Sequence, residues 1–300
     1  MGRWLAKHLL DSGHQVWLLD NLSNSAEKNV AEFRGKLSGF VIGDIKNKKL
    51  LSAIFKKKFN VCFHLAAAIN VQESIDNPEK CFEDNVTGTF NVLEECRRHK
   101  TKMVFISSAL VYASAKKGEL ISEEHPLNPS CPYVASKIFG EEMVIAYYKT
   151  YKLPVVILRP FSIYGPWQRS DSEGGVMSIF ISRKLKGLPL LVYGDGSQGR
   201  DFFYIEDCAE FIAKAGFSPK AVGRIFNAGS GEEIKIGKLA RIIADGKSGI
   251  KFVKHHHPHA EIMHMRADSS KALKLLGWKK RTSLETGIRK TTDWLRRQRN

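Results

Sequence analysis

Short apolar runs alternate with helical patterns through the first half of the chain, and this alternation constrains the fold more than any other feature. The runs 61–65 (VCFHL), 103–107 (MVFIS) and 155–158 (VVIL) are nearly continuous in apolar residues, whereas 82–98 and 131–151 have the length and pattern of helices. Strands of this kind are buried on both faces, which requires a parallel sheet with helices on each side. We therefore predict an α/β fold with a Rossmann-type doubly wound parallel sheet.

The pattern loosens after about residue 165, where Gly- and Pro-rich loops separate shorter elements. We interpret this part as a smaller C-terminal substrate domain that is interleaved with the sheet domain. The predicted sheet domain covers 1–165 and 198–230, and the substrate domain covers 166–197 and 231–300.

Composition narrows the partners that we expect. The net charge of +16 is spread along the chain without a zinc-finger or RNA-binding signature, so we expect no nucleic acid partner and an anionic small substrate instead. No apolar run has the length of a membrane span, the start lacks the pattern of a signal peptide, and the five cysteines are scattered. We expect a cytoplasmic protein without a membrane partner, and no metal at the histidine cluster 255–259.

Polar side chains stand at the predicted carboxyl ends of the strands, where parallel sheets bind ligands. Asp20 ends the second strand of the usual dinucleotide fold, where a carboxylate accepts hydrogen bonds from ribose hydroxyls and repels a 2′-phosphate. The position therefore favours NAD over NADP. Asp44 is a candidate contact for the adenine edge, and the small residues Ala66 and Ala67 would let a cofactor pass closely.

Tyr133 and Lys137 share one face of a predicted helix because they lie four residues apart. An ammonium near the phenol would lower its pKa and make it a base for a hydroxyl proton. Ser108, at the end of the strand before this helix, could then hydrogen-bond the same substrate oxygen. Taken alone, the spacing is more often a pair on a helix surface.

The combination of motifs resembles the NAD-dependent epimerase/dehydratase family, within the extended short-chain dehydrogenases. Motifs in the family's order are Asp20-Asn21-Leu22-Ser23, Gly43-Asp44-Ile45, His64-Leu65-Ala66-Ala67, Asn85-Val86-x-Gly88-Thr89, Ser107-Ser108-Ala109, Tyr133-x-x-x-Lys137, Arg159-Pro160-Phe161, Tyr164-Gly165-Pro166, Gly194-Asp195-Gly196, Arg200-Asp201-Phe202, Phe226-Asn227-Ala228-Gly229, Ala267-Asp268 and Leu276-Gly277-Trp278. The resemblance covers essentially the whole chain. It implies an NAD-binding domain and a C-terminal domain that holds a nucleoside diphosphate sugar.

The resemblance also implies a role for individual residues. The catalytic residues it implies are Ser108, Tyr133 and Lys137. The cofactor-binding residues are Gly2, Asp20, Asn21, Asp44, Ile45, Leu65, Ala66, Ala67, Asn85, Ser107, Tyr133, Lys137 and Pro160. The substrate-binding residues are Ser108, Tyr133, Ser162, Arg200, Glu261 and Met265, with Arg200 expected on the nucleotide or diphosphate.

Departures from the family pattern narrow the reaction. Members that eliminate water carry an acidic pair directly after the catalytic serine or threonine, where this chain has Ala109 and Leu110, and the glutamate typical of decarboxylases is missing too. The resemblance is therefore greatest to the UDP-glucose 4-epimerases. A dehydratase, decarboxylase or ketoreductase stays open as an alternative. Ser162 replaces a common Asn, Pro258 stands where a second phosphate-binding Arg is expected, and Met265 lies at a position that gates the sugar pocket.

The chain begins with Met1, and Gly2 stands at the start of a predicted helix, where the family has the last glycine of its cofactor loop. We expect the family's first strand and first two glycines to be missing, which would leave the neighbouring strands without a partner. An inactive, truncated relative that serves as a binding protein is therefore a further alternative. By analogy with the family, we expect a homodimer.

Overall fold

The computed structural model describes residues 1–170, 175–254 and 262–298. The strands, numbered in chain order, are β1 (Trp17–Asp20), β2 (Gly39–Ile42), β3 (Val61–His64), β4 (Lys102–Ile106), β5 (Val155–Pro160), β6 (Ser162–Tyr164), β7 (Leu190–Tyr193), β8 (Gly199–Tyr204), β9 (Arg224–Ala228), β10 (Glu233–Lys235) and β11 (Ile250–Val253). The α-helices are α1 (Gly2–Asp11), α2 (Lys48–Phe55), α3 (Val71–Asp76), α4 (Pro78–Phe82), α5 (Gly88–His99), α6 (Pro132–Tyr151), α7 (Val176–Leu185), α8 (Ile205–Phe217), α9 (Ile236–Ala244), α10 (Ser270–Leu276) and α11 (Leu284–Arg297).

Four parallel strands form the central sheet, in the order β3-β4-β5-β9. Side chains of a strand point alternately to its two faces, and those of β4 enter two different cores. Val104 and Ile106 pack with residues of α8, whereas Met103 and Phe105 pack with residues of α2, α5 and α6. All four are buried. The predicted Rossmann-like parallel sheet with helices on both faces is therefore confirmed.

The strands β1 and β2 pair in parallel, with Trp17 beside Gly39, and within the described residues they form a sheet separate from the other four. A Cβ on Gly39 would lie 2.3 Å from the Trp17 ring, so only glycine fits beside this indole. Asp20 ends β1, and its side chain is exposed.

A second apolar core is built from residues that follow the central sheet in the chain. One sheet has the order β10-β8-β6, in which β10 is antiparallel and β6 parallel to β8. A second sheet is the parallel pair β11-β7. Both pack with α7, α9 and α11. Strand β8 joins the two cores, because Phe203 enters the first while Phe202 and Tyr204 enter the second. Within the described residues, no helix is long and apolar enough to cross a membrane.

The prediction of one uninterrupted helix from Phe82 to Arg98 is wrong in detail. The structure has α4, then a π-helical turn (Glu83–Thr87), then α5. The π turn holds Asn85, whose side chain bonds a distant loop, and such turns often place a functional side chain. Gly88 follows because a Cβ there would lie 2.5 Å from Cδ1 of Ile45.

Candidate active site

Helix α6 presents the central tyrosine at its first turn. The helix begins at Pro132, whose fixed φ and missing N–H suit a first helical position. Cys131, the residue that caps the helix, makes no capping bond with its side chain. The backbone N–H of Tyr133 instead donates to Oγ of Ser74 in α3, at 3.2 Å. This bond fixes the helix start against the neighbouring loop.

Ser108 and Tyr133 are brought together as the sequence predicts. Ser108 lies two residues after the end of β4, and its hydroxyl lies beside the phenol of Tyr133, where it favours the charged form of the phenol. Burial opposes this effect and is stronger, because Tyr133 is only 6 % exposed, so the pKa of the phenol is raised to about 12. Oγ of Ser108 also accepts a hydrogen bond from the Leu110 N–H at 3.2 Å, which orients the hydroxyl.

The prediction that Lys137 lowers the pKa of the Tyr133 phenol is wrong for this structure. The Lys137 ammonium donates to the carbonyl of Ile106 at the end of β4, at 3.1 Å, and lies 5.3 Å from the centre of the Phe105 ring. Burial lowers the pKa of Lys137 to about 8, although nearby Cys81 and Glu141 act in the opposite direction. The four-residue spacing correctly gives the shared face, but burial outweighs any ammonium effect and raises the pKa of the phenol.

Hydrogen bonds of one buried side chain join the loop after β3 to α6, and sequence reasoning missed them. The amide of Asn85 accepts a bond from Ala68 N–H (2.7 Å) and donates to Ala68 C=O (3.0 Å) and to Oγ of Ser136 (2.9 Å). Ser136 in turn donates to the Tyr133 carbonyl at 2.7 Å. Asn85, predicted to bind cofactor, thus holds the loop that carries Leu65, Ala66 and Ala67.

A second polar group lies where β1 and β2 end. One oxygen of Asp20 accepts from the Leu22 N–H (2.7 Å) and from Ser25 Oγ (3.1 Å). Asn21 donates to Asp44 at 3.1 Å, and Asp44 also accepts from the Lys46 N–H at 2.7 Å. Exposed carboxylate oxygens at the end of β1 suit ribose hydroxyls, because they accept hydrogen bonds and repel phosphate.

The remaining predicted cofactor residues also lie at or near strand ends. Ile45 follows β2 and is half-buried, Leu65, Ala66 and Ala67 follow β3, and Pro160 ends β5. Ser107 follows β4, and its hydroxyl is buried without a partner among the described residues. Gly2 opens α1 in a position where a Cβ would meet nothing within 4 Å. Polar acceptors, small residues and an unsatisfied hydroxyl at the carboxyl ends of parallel strands fit a dinucleotide.

A cavity of about 370 Å³ lies next to β6 and β8, and two predicted substrate residues line it, Ser162 and Arg200. The Arg200 guanidinium donates to the backbone carbonyls of Gly199 (2.8 Å) and Ile262 (2.6 Å). Tyr193 and Gln198 border the same cavity. Its size and mixed lining are those of a small-molecule site.

Met265 lies in the apolar cluster that contains Tyr133 and Phe161, and it is 4 % exposed. Its N–H donates to Glu233 at 3.0 Å, which ties this segment to β10. The predicted contact Glu261 and the histidine cluster 255–259 lie outside the described residues.

His64, at the end of β3, is buried in its neutral form. Its Nε2 is 2.9 Å from Oγ1 of Thr89, and burial, helped by the nearby Lys137 charge, lowers the pKa of His64 to about 3. In the unfolded chain the ordinary pKa of histidine is near 6.5. Between these values only the unfolded chain binds the proton, so acid favours unfolding.

We expect the free energy of unfolding to fall by about 1.4 kcal/mol per pH unit from this group as the pH drops from about 6.5 to 4. Chemical denaturation at a series of pH values measures the slope. His64→Gln keeps a polar partner for Thr89 and does not titrate, so its slope should be smaller by that amount. Equal slopes for both proteins would contradict the assignment of a buried neutral His64.

Comparisons with known proteins add to this geometry. The model of the NAD dependent epimerase/dehydratase family matches residues 1–229. The chain is 34% identical over 300 residues to the UDP-glucose 4-epimerase of Mycolicibacterium smegmatis, covering 99% of this chain and 95% of that protein.

Two solved structures are similar to this one over nearly their whole length. Pal from Bacillus thuringiensis has a TM-score of 0.97 at 48% identity, with 99% of this chain and 96% of that chain covered. The UDP-glucose 4-epimerase of Thermus thermophilus, solved in complex with NAD, has a TM-score of 0.90 at 33% identity, with 98% and 95% covered.

Proposed function

Because this chain belongs to the NAD-dependent epimerase/dehydratase family, which uses NAD, we propose that it is a UDP-sugar 4-epimerase. The family includes epimerases and dehydratases, so membership alone leaves the reaction open. The observation that carries the proposal is the placement of the Ser108 hydroxyl beside the Tyr133 phenol at the carboxyl end of β4. A phenol and a hydroxyl that lie together near the proposed dinucleotide site can transfer a proton to and from a sugar hydroxyl.

In the proposed mechanism, Tyr133 acts as a phenolate, a form that the positive charge of a bound oxidised nicotinamide would favour. It takes the proton of the C4 hydroxyl and returns it at the end of the cycle. When bound, NAD would accept the C4 hydride and later return it. Ser108 donates a hydrogen bond to the C4 oxygen while it has carbonyl character, which is a preorganised electrostatic contribution. Lys137, whose ammonium is held on the Ile106 carbonyl, is available to the ribose hydroxyls of the cofactor. The sugar turns between the two hydride transfers, so the C4 configuration inverts.

The two residues after Ser108 favour epimerisation over elimination of water. Elimination at C5 and C6 needs an acid and a base beside the sugar. Ala109 is 1 % exposed and Leu110 is half-buried, and neither can accept or donate a proton. A dehydratase or decarboxylase would therefore need other groups, and a ketoreductase would need net hydride supply.

We assign the nucleotide to the cavity lined by Ser162 and Arg200, which is also lined by residues of the proposed substrate-binding parts 166–197 and 231–300, among them Tyr193 and Ile236. Arg200 has the bidentate donor geometry that suits a diphosphate. Its present hydrogen bonds to Gly199 and Ile262 orient the guanidinium along the cavity wall. Glu261 and Met265 complete the proposed substrate contacts.

The decisive experiment supplies purified full-length protein and NAD with a panel of UDP-, dTDP-, GDP- and CDP-sugars. The proposed function requires interconversion of C4 epimers of a UDP-sugar, detected by NMR, without net change in NADH absorbance. Formation of a 4-keto-6-deoxy product would make it a dehydratase, and release of CO₂ would make it a decarboxylase. Stoichiometric formation of NADH, which is ketone reduction run in reverse, would make it a ketoreductase. Failure to bind NAD or any nucleotide sugar would favour the inactive relative.

We further propose a homodimer formed through α5 and α6. These helices contact each other, and with the adjacent α4 they present large exposed apolar side chains, including Phe82 (59 %), Phe90 (38 %) and Phe139 (43 %). Apolar groups exposed together commonly mark an interface. Five free thiols also support a reducing, cytoplasmic location. We propose no nucleic acid, membrane or metal partner.

The double substitution Phe90→Glu with Phe139→Glu is expected to convert the dimer to a monomer at micromolar concentration, because it places charges in a desolvated apolar contact. Light scattering after size exclusion measures the mass. The control is Phe252→Glu, which changes a phenylalanine on β11 that is even more exposed (55 %). A wild-type protein that is already monomeric, or a double variant that stays dimeric, would exclude this interface.

A further inference from the structure

Four loops at the amino ends of the central strands lie side by side and are rich in basic residues. Each loop joins the end of a helix to the strand that follows, and the strands β3, β4, β5 and β9 are neighbours in one parallel sheet. The backbone shows this adjacency, because the Lys102 N–H donates to the Asn60 carbonyl and the Gly223 N–H donates to the Val155 carbonyl. We call the four loops and the helix ends beside them the basic face, which comprises residues 56–60, 97–102, 149–154 and 214–224.

Most of the net charge of the chain lies on the basic face. Its four segments contain twelve Lys and Arg residues and no Asp or Glu, so the remainder of the chain carries only +4 of the net charge of +16. The dipole of a helix favours cations in its last turn, but these charges continue beyond the helix ends, as in Lys56-Lys57-Lys58. Repulsion among clustered like charges opposes folding, and an anionic partner would relieve it.

The lysines of the basic face are available to such a partner. Arg97 and Arg98 each pair at 2.9 Å with a glutamate one turn earlier on α5. The lysines, in contrast, have no carboxylate partner in the part of the chain that the structure describes. The exposed lysines are Lys56, Lys57, Lys58, Lys100, Lys149, Lys152, Lys214 and Lys220.

The basic face lies at the end of the sheet opposite the proposed catalytic residues. Strand β4 runs from Lys102, in the basic face, to Ile106, two residues before Ser108. At about 3.3 Å per residue, the distance along the strand from Lys102 to Ser108 is roughly 20 Å. A partner bound to the basic face therefore leaves the proposed cofactor and substrate sites open.

A cavity of about 250 Å³ opens at one edge of the basic face. Lys214 and Phe217 of the basic face line it together with His14. The Glu210 carboxylate on its wall already pairs with Arg281 at 2.7 Å. The cavity offers a cation and two ring surfaces to one side chain of a bound peptide, which favours an extended segment over a flat folded surface.

Side-chain chemistry favours an acidic protein segment over a nucleic acid or a membrane. Single-stranded nucleic acids stack their bases on open aromatic rings. The exposed rings of the basic face are already in contact, because Tyr151 lies 5.1 Å from the Arg97 guanidinium and Phe217 stacks on His14 with ring centroids 4.5 Å apart. Membrane binding gains strength from apolar groups inserted beside the charges, and these packed rings do not supply them. Lysine ammonium groups are point charges that suit the carboxylates of a flexible acidic chain.

We propose that the basic face docks an extended acidic segment of a partner protein. The ends of α2 and α5 lie together, since the rings of Phe55 and His99 are 6.0 Å apart, so carboxylates of the segment reach both Lys56-Lys57-Lys58 and Lys100. One further side chain of the segment occupies the cavity beside Lys214. The proposal is independent of the reaction that the protein catalyses.

Two matched sets of four substitutions test the position of this docking surface. Both sets lower the net charge by the same amount, so they separate the position of the charge from its total. The first set changes lysines of the basic face and the second changes exposed lysines elsewhere. The first set is Lys56→Gln, Lys57→Gln, Lys58→Gln and Lys100→Gln, and the second is Lys116→Gln, Lys117→Gln, Lys247→Gln and Lys251→Gln.

The probe is a fluorescently labelled oligoglutamate peptide, and its anisotropy is followed during titration with the full-length protein at an ionic strength of about 0.15 M, where charges interact over about 8 Å. We expect the first set to weaken binding at least about tenfold, because several close ion pairs are lost together, and the second set to stay within about threefold of wild type. Thermal unfolding of both sets is the control for folding.

Equal weakening by the two sets, or no binding of oligoglutamate to the wild-type protein, would overturn the basic face as a docking surface. Sedimentation with vesicles of phosphatidylserine and phosphatidylcholine, and anisotropy of a labelled oligouridylate, measure the other classes of partner. Tighter binding of the vesicles or of the oligouridylate than of oligoglutamate would overturn the acidic segment as the occupant.

Discussion

Replacing Tyr133 by phenylalanine is expected to lower kcat by about a thousandfold or more, because general acid–base catalysis by a positioned side chain contributes roughly 10²–10⁴-fold. The variant removes one oxygen and keeps the ring, so the apolar cluster with Phe161 and Met265 stays filled. Ser108 remains oriented by the Leu110 N–H. Binding of NAD and nucleotide sugar should therefore persist while proton transfer at C4 fails. The measurement is kcat for C4 interconversion, followed by NMR at saturating substrate.

Thermal unfolding of Tyr133→Phe separates this effect from loss of structure, and its midpoint should stay within a few degrees of wild type. Tyr148→Phe makes the same chemical change on the exposed side of α6 and should leave kcat unchanged. If Tyr133→Phe keeps kcat within tenfold of wild type, the phenol is not the base, and another group must accept the C4 proton.

The periodic features of the sequence predicted the parts of the site that depend on local geometry. The apolar runs correctly gave the parallel strands, and their ends gave the positions of Asp20, Ser107 and Ser108. The four-residue spacing put Tyr133 and Lys137 on one face of α6. These predictions succeeded because strand alternation and helical period are set by the backbone itself.

The contacts that hold the site depend on residues that are far apart in the chain, and here the sequence was not sufficient. Asn85 hydrogen-bonds Ala68 and Ser136, which lie 17 and 51 positions away, so no local sequence pattern indicates these bonds. The π turn that carries Asn85 accompanies this tertiary contact. The family resemblance implied a cofactor contact for Asn85 and gave no signal for the bonds to Ala68 and Ser136.

The pKa of Tyr133 illustrates the same limit for electrostatics. Spacing alone suggested an ammonium that stabilises phenolate. The structure buries both side chains and places the Lys137 ammonium on a backbone carbonyl, so desolvation sets the direction for each group. Desolvation of a group depends on every residue that surrounds it, including Phe105 on strand β4, and the spacing of two residues in one helix does not contain this information.

Arg159 and Glu141 form a buried ion pair that connects α6 to strand β5. Arg159 lies on β5 and is 3 % exposed, and Glu141 lies on α6, one turn after Lys137, and is 1 % exposed. Both carboxylate oxygens accept from the guanidinium, at 2.9 and 2.5 Å, and a third bond of 3.0 Å reaches the Glu123 carbonyl. The pair therefore fixes the rotation of α6, and with it the position of Tyr133.

Arg159→Met is expected to lower the free energy of unfolding by about 3–5 kcal/mol, because it leaves the Glu141 carboxylate buried without a partner. For a chain of this size the melting temperature should fall by roughly 5–8 °C. Adding Glu141→Leu removes the stranded charge, so the double variant should recover at least about half of the loss. Lys7→Met breaks the exposed Lys7–Asp11 pair and should change the stability by less than about 1 kcal/mol. A double variant no more stable than Arg159→Met alone would mean that the lost packing and the Glu123 bond, rather than the unpaired charge, account for the destabilisation.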